Sequence, residues 1–243
     1  MANFVLVHGA WHGGWCWAST SAALRQLGHD VHAPTLTGLG ERSHLLHEGI
    51  TSDSHVTDIV NVLKWRELRD VVLVGHSYGG TVITGVASHM PEAIRALVYL
   101  DAFVPEVSNE AIFAKANPAR MAAFQKQIDA GAIALEPDGA IDSWTDDADV
   151  KAWLMQQCTP HPKGTFQHGV TLTGREAEVR NRHYILAARN KPSPFWAEYE
   201  RVRARAGWTS DTINTLHDAM VEAPKELAGK LDTYAKTLTK DRP

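Results

Sequence analysis

Short apolar runs alternate with amphipathic stretches along most of this chain, and that alternation predicts parallel strands joined by crossover helices. Three runs are nearly continuous: Phe4–His8, Val71–His76 and Ala96–Leu100. Unbroken runs of this kind predict strands covered on both faces, because a half-exposed strand alternates polar with apolar positions. Weaker runs at His29–Pro34, His183–Ala188 and Thr212–Leu216 predict three more strands. Helical periodicity falls at about 15–27, 54–66, 78–89, 196–206 and 219–237. The helix after Ser77 is expected to stop near Met90, since Pro91 disfavours helix at the residue before it. The fold class is therefore α/β: a mainly parallel sheet of about six strands flanked by helices.

Residues 105–182 break this rhythm with Pro, Gly, acidic residues and interrupted helical patterns at Ala111–Ala130 and Asp147–Gln157. So long an excursion between two strands predicts an inserted helical cap over a site; a second helical layer that only pads the core is the alternative. The chain then divides into a core, 1–104 and 183–243, and a cap, 105–182. Trp144, Trp153, Met155 and Phe166 are the candidate roof of an apolar pocket.

Composition narrows the partners. Twenty-four basic residues against 28 acidic ones give a net charge of −4. That balance argues against nucleic acid or an anionic membrane, which need a clustered positive excess. Arg201, Arg203 and Arg205 read as a solvated helical face rather than a phosphate site. Cys16 and Cys158 cannot build a disulfide framework, so a reduced, cytoplasmic protein is expected. The start, MANFVLVHGA, carries no basic leader, and Phe4–Val7 is too short for export or spanning. A small-molecule substrate is the expected partner, and the oligomeric state is left open.

The strongest chemical signal is Gly75-His76-Ser77-Tyr78-Gly79, followed by Gly80. It lies directly after a predicted strand and directly before a predicted helix, the context in which G-x-S-x-G forms a nucleophile elbow. The serine must occupy a strained turn, so its neighbours two residues either side lack side chains. A serine attacking a carbonyl creates an oxyanion that needs two backbone donors. Tyr78 N–H supplies one, and Ala10 N–H, in the Gly-rich loop after the first strand, is the natural second. Trp11 then borders the pocket. Gly9, Gly13 and Gly14 do not meet the dinucleotide spacing G-x-G-x-x-G, and no cofactor is expected. Neither His8/His12 nor His44/His47 has a third ligand on a convincing helix, so no metal is expected.

The segments HGAWHGGW and GHSYGG resemble the α/β-hydrolase branch that holds plant hydroxynitrile lyases and methylesterases. Together with LDAFVP and the compact length, they also resemble small bacterial esterases that hydrolyse the carbamate carbendazim. The resemblance covers the core and is thin through the cap. It implies a sheet without the two leading strands of larger members. His217, on the loop after the last predicted strand, is the expected base, and its His-Asp-Ala-Met segment is similar to that of the bacterial relatives. In much of the family the acid follows the strand before the last one, but Ala187-Ala188-Arg189-Asn190-Lys191 offers no carboxylate. Asp101, at the end of the strand after the nucleophile strand, is the expected acid, as in branches such as the haloalkane dehalogenases; Asp211 and Asp218 are weaker candidates. The lyases carry threonine at the position of Gly9 and lysine at that of Asp218, so the resemblance favours an esterase. The expectation is a serine hydrolase cleaving a small, largely apolar ester or carbamate. A small-ligand receptor or an acyltransferase on the same fold is the alternative.

Overall fold

The computed structural model describes residues 1–112, 118–137 and 139–238. Six strands build one sheet: β1 (Asn3–Val7), β2 (Asp30–His32), β3 (Val71–His76), β4 (Ile94–Leu100), β7 (Arg182–Ala187) and β8 (Trp208–Ile213). Their order is β2-β1-β3-β4-β7-β8, and every pairing is parallel. The predicted α/β class and strand count hold.

Strand residues point alternately into two cores. Val5, Val7, Val71, Leu73, Leu97 and Tyr99 pack on one face. Phe4, Leu6, Val72, Val74, Val98 and Leu100 pack on the other. Helices α2 (Ser52–Trp65), α3 (Gly79–His89) and α7 (Pro194–Arg203) cover the first face; α1 (Ala18–Gln26), α8 (Ala219–Glu222) and α9 (Pro224–Thr237) cover the second. With both faces buried, the central strands have no reason to alternate in polarity.

Element ends follow local chemistry. Thr51 and Ser54 form a capping box that starts α2, and Ser193 with Pro194 starts α7 two residues before the predicted position. The helix expected over 219–237 is two helices, because Pro224 opens a new one after Ala223. The last strand lies at Trp208–Ile213 rather than Thr212–Leu216. It is an edge strand, and its Thr209 and Ser210 are exposed, so its polar face disguises it.

Between β4 and β7 run α4 (Pro118–Asp129), β5 (Ala134–Leu135), α5 (Ala148–Gln157), β6 (His161–Pro162) and α6 (Gly164–Gln167), with β5 and β6 paired antiparallel. Residues 113–117 of the helix expected over Ala111–Ala130 lie outside the described residues. Trp144 and Phe166 are buried as expected of a roof, but Trp153 is 39% and Met155 71% exposed. On α5 the residue between them, Leu154, faces inward, and successive helical positions point about 100° apart. Trp153 instead packs edge-on against Trp15, 5.1 Å between ring centroids. No helix among the described residues is long and apolar enough to cross a membrane.

Candidate active site

Strand β3 delivers Ser77 to the C-terminal edge of the sheet, at the turn into α3. Its φ of +54° is the left-handed conformation that L-residues avoid. The turn is held by Ser77 N–H donating to the Leu100 carbonyl at 3.2 Å and by the Ser77 carbonyl accepting from Gly80 N–H at 3.1 Å. A Cβ on Gly75 would lie 2.5 Å from the Gly79 oxygen, and one on Gly79 would lie 2.6 Å from the Val7 oxygen. Strand and helix close up only because both positions lack side chains.

Asp101 follows β4 and is fully buried, also in a left-handed conformation, with φ +42°. Its Oδ2 accepts from His217 Nδ1 at 2.6 Å and from Asn190 Nδ2 at 2.7 Å, while Oδ1 accepts from Ala187 N–H at 3.2 Å. Three donors compensate the cost of burying the carboxylate. His217 lies on the loop after β8, where its N–H donates to the Ser143 carbonyl at 3.2 Å and that of Asp218 to the Trp144 carbonyl at 3.1 Å. The segment between β4 and β7 thus holds the histidine loop by its backbone. Phe195 stacks flat on the imidazole, with centroids 4.9 Å apart and planes 5° apart.

Ser77, His217, Ala10, Tyr78 and Trp11 line one cavity of about 160 Å³. Its other walls include Phe103, Phe124, Trp144, Phe166 and Phe195, with Arg120 as a charged contributor. The pocket is therefore mostly apolar with a few convergent polar groups, the usual make-up of a small-ligand site. Trp11 is fixed by its indole N–H on the Leu135 carbonyl at 2.7 Å and by its backbone N–H on His161 Nδ1 at 3.2 Å. Neither the Ala10 nor the Tyr78 amide is taken by another group among the described residues.

Of the acid candidates, Asp101 alone meets His217. Asp211 lies on β8 and binds Lys230 at 2.8 Å. Asp218 is fully buried and takes His12 Nε2 at 3.0 Å. Asn190 was missed by sequence reasoning, although it lies in the very stretch noted for lacking a carboxylate: it supplies a donor to Asp101 rather than an acid to His217.

Several buried histidines surround this site as neutral rings. His8 donates from Nδ1 to the Gly9 carbonyl at 2.8 Å and accepts at Nε2 from Leu36 N–H at 3.0 Å. Burial pulls its pKa down to about 3. His55 accepts from the Tyr78 hydroxyl and donates to the Thr37 carbonyl, both at 2.9 Å, and burial lowers it to about 4. His76 donates from Nε2 to the His217 carbonyl at 3.0 Å; burial, then the nearby His217 ring, holds it well below the ordinary value. His76, His217 and Asp218 bring possible ligand atoms within 4.8 Å of one another. His76 Nε2 and His217 Nδ1 already bond oxygen acceptors, and Asp218 Oδ2 takes His12, so these atoms are spent on separate hydrogen bonds.

The model of the alpha/beta hydrolase family matches residues 4–230. A carbendazim hydrolyzing esterase of Nocardioides sp. (strain SG-4G) is 44% identical over 95% of this chain and 98% of its own length. An alpha-hydroxynitrile lyase of Arabidopsis thaliana is 36% identical over 44% of this chain and 42% of its own length. Among solved structures, an extracellular alpha/beta-hydrolase from a Paenibacillus species superposes with a TM-score of 0.82 at 22% identity, covering 99% of this chain and all of that one.

Proposed function

The chain belongs to the alpha/beta hydrolase family and is an esterase-type hydrolase, and from that premise we propose that it cleaves a small, largely apolar ester or carbamate through an acyl-enzyme on Ser77. His217 Nδ1 is held by Asp101, which leaves Nε2 as the bare nitrogen of the neutral ring. It takes the Ser77 proton as the hydroxyl oxygen attacks the carbonyl carbon. The Ala10 and Tyr78 amides receive the oxyanion. The imidazolium, stabilised by Asp101, then protonates the departing alcohol or amine, and the neutral ring later activates water to release the acid.

The observation that carries this reading is that His217, held from behind by Asp101 at 2.6 Å, and the strained Ser77 line one small apolar cavity. The carbamate option rests on the relative named for carbendazim hydrolysis; the cavity size and its aromatic walls support a compact substrate. Residues 105–182 act as the cap, since Trp144 and Phe166 wall the pocket. Lyase chemistry is disfavoured. As the resemblance implies, Asp218 stands where the lyases carry a lysine, and a Cβ on Gly9 would lie 3.0 Å from Ser77 Cβ.

Replacing Ser77 with alanine and assaying p-nitrophenyl acetate tests the proposal. Turnover is expected to fall to background; unchanged turnover overturns it. Sustained release of product by the unmutated enzyme separates an esterase from a receptor, and product analysis with added alcohol separates it from an acyltransferase.

A further inference from the structure

Two buried titratable groups in the site are not used by the proposed mechanism. His12 is two residues past Ala10 and 1% exposed; Asp218 follows His217 and is fully buried. His12 Nδ1 lies 2.7 Å from the Ala10 carbonyl oxygen, and Nε2 lies 3.0 Å from Asp218 Oδ2. A carbonyl and a carboxylate only accept, so both ring nitrogens must carry hydrogen for both bonds to exist. His8 and His55 differ: each faces one donor and one acceptor, which suits a neutral ring.

The surroundings suit a cation. The His12 ring stacks on Trp15 at 5.2 Å and 25° and meets Trp144 at 4.8 Å, placing indole rings beside the charge. Burial alone pulls His12 toward neutrality, but the Asp218 charge and the hydrogen bonds to Asp218 and Ala10 prevail and raise its pKa. His76, 6.3 Å away between ring centroids, His8 and His161 are titratable rings nearby, and burial lowers the pKa of each. Asp218 also acts on the Cys16 and Cys158 thiols, whose pKa values rise through burial first and this carboxylate second.

The pair joins three segments. Asp218 belongs to the histidine loop and is held through its N–H by the Trp144 carbonyl; His12 grips the carbonyl of the residue assigned as an oxyanion donor. We propose that His12, as an imidazolium paired with Asp218, clamps the loop bearing the Ala10 amide to the loop bearing His217 and so positions the oxyanion donor. Both are positioning residues, and the inference rests on the roles given above to Ala10 and His217. An oxyanion exists only along the reaction path, so a displaced donor lowers kcat more than it raises KM.

The test compares His12→Gln, Asp218→Asn and the double variant on p-nitrophenyl acetate, beside Ser77→Ala. Removing one oxyanion donor outright costs about 10²–10³-fold in kcat. Displacing it is expected to cost about 10–100-fold for each single variant, with KM within about threefold. The double variant should be no worse than the poorer single one, because the groups act as a unit. Folded single variants with wild-type kcat overturn the clamp while leaving the nucleophile reading intact, whereas full activity in Ser77→Ala sinks that reading itself. If a variant fails to fold, ¹⁵N NMR of the wild-type imidazoles decides. Both His12 nitrogens should be protonated at pH 7; an unprotonated one overturns the proposal.

Discussion

Asp101→Asn is the most informative single perturbation. The Asp101 carboxylate accepts three hydrogen bonds, at 2.6, 2.7 and 3.2 Å, from His217, Asn190 and the Ala187 amide. An amide has one acceptor oxygen, so its NH₂ must face at least one of these donors. If the oxygen keeps the Ala187 bond, the NH₂ confronts both Asn190 Nδ2 and His217 Nδ1, and the imidazole must move its proton to Nε2 to accept. The base is then capped on the side that should receive the Ser77 proton. A tautomer error of this kind costs about 10⁴-fold in kcat, equivalent to about 5 kcal/mol of lost transition-state stabilisation. KM should change little, because Asp101 lies behind the histidine and outside the pocket lining. The assay is steady-state hydrolysis of p-nitrophenyl acetate at pH 7–8, with circular dichroism to confirm folding. A folded variant within tenfold of wild type, matched by a folded Asp101→Ala variant that also keeps its activity, would refute the assignment of Asp101 as the histidine's partner.

Three further outcomes follow from the same geometry. Gly9→Ala puts a methyl 2.9 Å from His76 Nδ1 and 3.0 Å from Ser77 Cβ. Because His76 is pinned on the His217 carbonyl, kcat should drop at least about tenfold with a lowered Tm; wild-type kinetics would show the loop yields freely. Phe195→Leu removes the ring stacked on His217, and losing that support for an imidazolium, about 1 kcal/mol, should lower kcat roughly three- to tenfold. An unchanged kcat would mean the stacking is only packing. Acid stability is set in part by His8 and His55, held by burial at about 3 and about 4 against an ordinary 6.5. The unfolded chain takes up these protons below pH 6.5 and the native chain does not, so stability is present above that pH and lost as pH falls toward 4, by about 1.4 kcal/mol per unit for each ring. Urea unfolding should give a free energy about 2–4 kcal/mol lower at pH 5 than at pH 7.5; equal values contradict the buried neutral rings.

What could be read from the sequence was whatever steric or solvent demand left a residue pattern. The elbow was legible because its turn admits no Cβ at Gly75 or Gly79, and the central strands because two covered faces require unbroken apolar runs. The edge strand β8 was displaced in the reading because Thr209, Ser210 and Asp211 look like a loop when only one neighbour strand is present. The amphipathic pattern over 219–237 runs straight through Pro224 and so hides the break that this residue makes between α8 and α9. The position of Asp101 could be inferred from the strand it ends, but its support by Asn190 could not, since a donor contributed from another loop leaves no local signature. The same holds for His12 and Asp218, which are separated by most of the chain and meet only because β1 and β8 end at the same edge of the sheet. Between β4 and β7, hydrophobicity alone points Trp153 and Met155 inward, and helical phase sends both away from Leu154.

The central claim is that one hydroxyl, that of Ser77, is activated by His217. Reaction with a fluorophosphonate probe followed by peptide mapping reports the activated hydroxyl without any assumption about substrate. The account predicts a single stoichiometric adduct on Ser77 that is lost in His217→Ala. An adduct on another residue, or undiminished labelling of Ser77 without His217, would contradict it.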